Sequence, residues 1–156
     1  MSEPSLLHLP HQLVIFRVGE THYGIDIEAV GEILPVLPIT STPGAPVGVL
    51  GLADVRKQVV PVFDLHVRFG VPRPQDSSDT RMILVEVGEG SVAMLVDAVE
   101  EVLTVKREDF QSVATPGNTS SVGYLNGVVR AEEKLMLWID HNRLVPSAVT
   151  ASLVAA

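Results

Sequence analysis

The chain has 156 residues, 46% of them hydrophobic and 19% charged, with no cysteine and a formal net charge of −8. That excludes a disulfide scaffold, a thiol nucleophile and a cysteine-ligated metal site; no apolar run approaches the ~18 residues of a membrane span, and no Lys/Arg cluster is dense enough to hold nucleic acid against such acidity. Twenty-six residues, about 17%, are valine, which suits pleated, half-buried surfaces and tilts the fold toward β.

The opening stretch, Met1 to Pro10, has neither the basic region nor the apolar core of a secretory signal. His8 and His11 stand three apart in it, a spacing that could share a metal on a helix, but flanking prolines make it an ordinary polar tail. Leu13–Val18 reads as a strand closed by a Gly-Glu turn, and Tyr23–Ile27 alternates like a half-buried strand. Glu28-Ala29-Val30 fits one helical turn, and extended structure resumes over Glu32–Val36. A fourth strand is expected at Val47–Val55 and a fifth at Gln58–Phe63, then a helical turn after Asp64. Pro72–Thr80 is polar and proline-bearing, as a linker would be.

The pattern then repeats. Shifted by 69 residues, Leu13–Leu34 lies without a gap on Met82–Leu103, with identities at Val18/Val87, Gly19/Gly88, Glu20/Glu89, Ala29/Ala98, Val30/Val99, Glu32/Glu101 and Leu34/Leu103. Shifted by 76, Val49–Asp64 lies on Leu125–Asp140, aligning Gly51 with Gly127 and Asp64 with Asp140. The second copy thus predicts strands at Met82–Val87, Val92–Val96, Glu101–Val105, Tyr124–Ala131 and Lys134–Ile139, a helical turn at Asp97-Ala98-Val99, and a long loop around Ser112–Gly123. Val92–Val96 is apolar throughout, as a strand buried on both faces would be. Five short strands in about 60 residues are best served by rolling into a small barrel, which removes the edges and supplies a core. The expected fold is all-β: two tandem five-stranded barrels, residues 12–71 and 81–145, joined by the linker 72–80 and followed by a tail 146–156.

Several constellations invite chemistry. Gly88-Glu89-Gly90-Ser91-Val92-Ala93 matches a loose dinucleotide pattern, but a strand-like run follows where a helix is required, so a hairpin turn is the reading. Asp64 and Asp140 could pair as acid and base, yet their equivalence in the two copies favours helix N-caps. Asn118-Thr119-Ser120 has the form of a glycosylation sequon, without the secretory signal that would give it meaning. His22 falls in a hairpin turn, and His66 and His141 just after the fifth strands; a deep pocket holding His22, His66 and a carboxylate would point to an enzyme or ligand carrier. Arg56-Lys57 is the paired basic group between the fourth and fifth strands, where the other copy has Glu132-Glu133; it suits a solvated turn or a charged partner contact.

Together these residues resemble the CheW family, the coupling scaffold of bacterial chemosensory arrays. The resemblance rests on Phe16-Arg-Val-Gly19, Tyr23-Gly-Ile25-Asp-Ile27, Val30-Gly-Glu32-Ile33, Thr42-Pro-Gly-Ala-Pro46, Gly51-Leu-Ala-Asp-Val-Arg56-Lys57, Pro61-Val-Phe-Asp64-Leu65, Leu95-Val96-Asp97-Ala-Val99 and Tyr124-Leu-Asn-Gly127 in order. It implies a pair of five-stranded SH3-like barrels, no enzymatic activity and no cofactor. Its implied partners are the regulatory domain of a CheA-type histidine kinase and the cytoplasmic tip of chemoreceptors, with other CheW-like proteins as further candidates. No nucleic acid, no membrane insertion and a cytoplasmic location go with it. Partner contact carries over to Val30, Glu32, Gly51 and Arg56, and by extension to Val96 and Val99, valines that core packing would equally explain. Where the family has Asn-Leu-Arg-Gly, this chain has Asp54-Val55-Arg56-Lys57, so Lys57 takes a place where glycine's positive φ is expected. This departure opens an alternative, a divergent adaptor of a type IV pilus chemosensory system. A regulatory fragment of the kinase itself is disfavoured by the absence of an ATP-binding or phosphotransfer segment.

Overall fold

The computed structural model describes residues 12–88, 90–111, 123–146 and 149. His8, His11, Glu89, the sequon at Asn118, the Ser112–Gly123 loop up to residue 122, and most of the C-terminal tail lie outside the described residues. The strands are β1 (Gln12–Val18), β2 (Thr21–Asp26), β3 (Val30–Pro35), β4 (Val49–Val55), β5 (Gln58–Asp64), β6 (Arg81–Val87), β7 (Gly90–Val96), β8 (Ala98–Thr104), β9 (Phe110–Gln111), β10 (Leu125–Ala131) and β11 (Lys134–Ile139). Helices α1 (Leu65–Phe69) and α2 (His141–Leu144) follow the two fifth strands. Single 3-10 turns occupy Ile27–Ala29 and Arg107–Asp109. The all-β class holds.

The expected assignment of one barrel to each copy is corrected by the sheet order. One sheet runs β8-β1-β2-β11-β10-β9 and the other β3-β6-β7-β5-β4. The first hairpin of each copy has therefore crossed into the sheet of the other. Parallel pairs fix both crossings, β2 beside β11 (Tyr23 opposite Leu137) and β7 beside β5 (Ala93 opposite Val62). A repeat is satisfied equally by strands that stay and strands that exchange, so periodicity alone could not choose.

Three apolar clusters follow from alternation along these strands. On β1, Leu13 and Ile15 point into a cluster with Val129, Met136 and Trp138, while Val14, Phe16 and Val18 point the other way. On β7, Ala93 and Leu95 join a cluster with Val60, Val62 and Met82, while Val92, Met94 and Val96 face Val14, Phe16 and Val18 of β1 across the seam. The seam is the largest cluster, and it explains why Val92–Val96 is apolar at every position: both faces are buried.

Each sheet is also rolled. Leu34 on β3 and Ala53 and Val55 on β4 share one interior, although β3 and β4 are opposite edges of their sheet. In a flat sheet four strand spacings, roughly 19 Å, would part them. Leu103 and Val105, at and just beyond the β8 edge, share an interior with Phe110 on β9 in the same way.

Asp64 and Asp140 cap α1 and α2 as expected, accepting from the backbone N–H of His66 (3.0 Å) and Asn142 (2.9 Å). The helical turn expected at Asp97-Ala98-Val99 does not form. Asp97 is a bend and the chain enters β8 at Ala98; the Asp97 N–H donates to Arg17 O at 2.9 Å, pinning the corner against β1.

Candidate partner-binding site

The rolled sheet brings β3 and the tip of the β4–β5 hairpin together. Arg56 Nη2 donates to Glu32 Oε2 at 2.6 Å. Arg56 keeps 78% of its side chain exposed and Glu32 25%, so the pair stands at the surface with the guanidinium still available. A bulge between Val30 and Glu32 sets the local direction of β3.

The tip itself is a tight turn with Arg56 at φ +52° and Lys57 at φ +70°. Lys57 occupies the left-handed region in place of the expected glycine, and Asp54 Oδ1 accepts from its N–H at 2.7 Å. Glu132 and Glu133 repeat the turn in the other copy, at φ +51° and +64°. The two hairpin tips therefore share a backbone and carry opposite charges.

Val30 and Val99, equivalent in the repeat, sit on β3 and β8, half-buried and packed against the seam cluster. They form part of its rim. Val96 does not: it is fully buried in the seam, where it can offer a partner no surface. Gly51 is also interior. It has φ +153°, and a Cβ there would lie 2.2 Å from Thr40 O. Its absence of side chain lets Thr40 and Leu52 exchange two 2.8 Å backbone hydrogen bonds, which fasten the proline-bearing loop to β4. Of the six expected contact residues, four reach the surface in whole or part, and two serve the framework.

Beneath that loop lies an apolar groove of about 380 Å³, walled by Thr42–Pro46, Val49, Leu52, Val59, Pro61 and Val149. Val47 (83% exposed) and Val59 (59%) are the most exposed large apolar residues among those described. None of the six expected residues lines it, and sequence reasoning missed it; the cluster of Pro and Val around 42–61 was its only signal.

The histidines separate. His22 Nε2 approaches Glu100 Oε1 at 3.7 Å on β8, whereas His66 lies between Asp64 and Asp97, with its Nδ1 2.6 Å from Asp64 Oδ1 and its Nε2 2.9 Å from Asp97 Oδ1. His66 is 1% exposed, and both ring nitrogens are occupied by carboxylates. The deep pocket holding His22, His66 and a carboxylate is not what these residues build.

A CheW-like domain model matches residues 12–149. The chain belongs to the CheW-like family. It is 32% identical to the chemotaxis protein CheW of Treponema pallidum (strain Nichols), over 87% of this chain and 82% of that one. The crystal structure of the scaffolding protein TtCheW from Thermoanaerobacter tengcongensis superposes with a TM-score of 0.78 at 30% identity, covering 88% of this chain and 89% of that one. Protein PilI of Pseudomonas aeruginosa is similar at 25% identity over 81% of this chain and 71% of its own. Among the described residues no helix is long and apolar enough to cross a membrane.

Proposed function

We propose that this CheW-like chain is a non-catalytic adaptor that couples chemoreceptors to a CheA-type histidine kinase in a bacterial chemosensory array, in the cytoplasm. The observation that carries the reading is the exposed Arg56–Glu32 pair beside the valine rim of the seam, in a fold matched over most of its length by a scaffolding protein. A charged, directional contact next to half-buried apolar surface is how a specific interface sets register and affinity together. In this reading Val30, Glu32, Arg56 and Val99 meet the partner, while Gly51 holds the hairpin that presents Arg56.

An enzyme or small-ligand carrier on the same fold is less well supported. It needs convergent titratable groups open to a substrate, and the tightest such cluster, around His66, is sealed. The pilus-system adaptor is the second reading. The 25% identity to PilI supports it, against 32% to a chemotaxis CheW.

The test is co-purification from the source cell, followed by a pull-down with the regulatory domain of the recovered kinase and with the receptor tip. Parent protein is expected to retain both, and Arg56→Glu to lose binding to one or both. Absence of binding by the parent, with Arg56→Glu indistinguishable from it, overturns the adaptor reading.

A further inference from the structure

His66 stands where the repeat has no counterpart. Its twin 76 residues on is Asn142, and the twin of Asp97 69 residues back is Glu28, both exposed. Only one of the two related corners carries a buried imidazole between carboxylates, so the repeated fold does not itself require one.

The cluster bridges pieces that sequence holds far apart. Asp64 ends β5, His66 is in α1, and Asp97 is the corner where the chain leaves β7 in one sheet for β8 in the other. Asp97 Oδ2 also accepts from the N–H of Gly19 at 2.7 Å, reaching the β1–β2 turn. Arg17, on β1, gives its guanidinium to Gly19 O at 2.9 Å, and Arg68, on α1, is turned away to Leu144 O at 2.8 Å. The charged groups around the ring are thus Asp64 from β5, Asp97 from the β7–β8 corner and, one contact further out, Arg17 from β1.

The hydrogen-bond count is restrictive. An ionised carboxylate only accepts, and a neutral imidazole has one N–H and one bare nitrogen. Two ionised carboxylates around a neutral ring would set one lone pair against another inside the protein, where an unmade hydrogen bond is costly. Satisfying both short contacts takes one additional dissociable proton, on the ring or on a carboxyl facing it.

We propose that the Asp64–His66–Asp97 cluster is a proton-operated latch between the two sheets, which ties the end of β5 and α1 to the β7–β8 corner while its proton is present and releases that corner when the proton leaves. An imidazole free in water exchanges its proton within about pH 5–8. The folded latch needs the proton and the unfolded chain does not. Above the ordinary imidazole value the unfolded chain sheds its proton while the closed latch must keep one, so rising pH there weakens the folded state. Val99 lies two residues beyond Asp97, so release would be felt at the rim of the seam.

Asp97→Asn separates this from a merely structural contact. The amide oxygen still accepts from Gly19, and the amide NH2 donates to a bare Nε2, so a neutral ring is satisfied without the additional proton. Thermal unfolding of the full chain from about pH 6 to about pH 8.5 is expected to show Tm falling by roughly 5 °C in the parent, with a clearly flatter profile in Asp97→Asn. Parallel profiles overturn the proposal. Should the variant not fold, hydrogen exchange on the parent decides: protection of the Gly19 and Asp97 amides, corrected for intrinsic exchange, is expected to fall tenfold or more over the same range, and unchanged protection overturns the latch.

Discussion

Asp54 Oδ1 accepts a 2.7 Å hydrogen bond from the N–H of Lys57, across a hairpin turn whose two central residues both hold positive φ. The carboxylate offsets part of the strain of placing lysine in the left-handed region, and the resulting turn aims Arg56 at Glu32. Lys57→Gly removes the steric cost but adds freedom to the unfolded chain, so a net gain of up to about 1 kcal/mol is expected. Asp54→Ala is expected to lose about 1 kcal/mol. Chemical denaturation of both variants measures the two effects, which have opposite signs.

The Arg56–Glu32 pair is itself a weak source of stability. Exposed ion pairs contribute about 0–1 kcal/mol, so Arg56→Glu is expected to leave the unfolding midpoint almost unchanged while lowering affinity for the kinase domain or receptor tip about tenfold or more. A double-mutant cycle with Glu32→Ala, read by both denaturation and binding, distinguishes the roles: coupling in stability stays small, and the binding loss follows Arg56.

Gly51 behaves differently, because its constraint is backbone against backbone. A Cβ at 2.2 Å from Thr40 O cannot be accommodated by rotating a side chain. Gly51→Ala is expected to cost about 3 kcal/mol and to detach the proline-bearing loop from β4. Hydrogen exchange at the Thr40 and Leu52 amides, now paired, reads the detachment locally.

Tyr23 supplies a pH dependence with a definite sign. Burial, helped by nearby Tyr124 and opposed by a hydrogen bond from Thr21, raises its phenol above the ordinary value of 10.0. Its folded state holds the proton more tightly than the unfolded state does. The associated stability is therefore complete below the unfolded value and is lost as pH rises through the folded one. Of the two tyrosines, Tyr23 is expected to ionise late in an ultraviolet titration, together with alkaline unfolding. Tyr23→Phe removes that late step.

Most strand positions were legible because alternation and turn residues are local. So were both helix caps, since Asp64 and Asp140 precede turns at equivalent places in the repeat. Val92–Val96 announced two-sided burial by having no polar position at all. The His66 cluster was illegible for the opposite reason: Asp97 is 31 residues from His66, and only the strand exchange brings them together. Asp97 misled locally as well, because its match to Glu28 suggested a helical turn, whereas its carboxylate is engaged by Gly19 and His66 and its N–H by Arg17. Val96 was ambiguous between rim and core, and its place in an exchanged strand put it in the core.

The strand exchange makes the last prediction. If each copy formed its own barrel, cutting the linker would leave two units meeting at one face. Here β1 and β2 are paired with β8 and β11, and β6 and β7 with β3 and β5, so every sheet contains strands from both sides of the cut. Val71–Asp79 is exposed along its whole length and tolerates an inserted protease site at Gln75. After cleavage the two pieces are expected to co-elute as one species in gel filtration and to unfold in a single transition, at a lower, concentration-dependent Tm because the linker no longer holds them at high effective concentration. Separate elution of two folded pieces would contradict the exchanged topology. Neither half expressed alone is expected to show a cooperative transition, since each would leave unpaired strand edges and one open face of the seam.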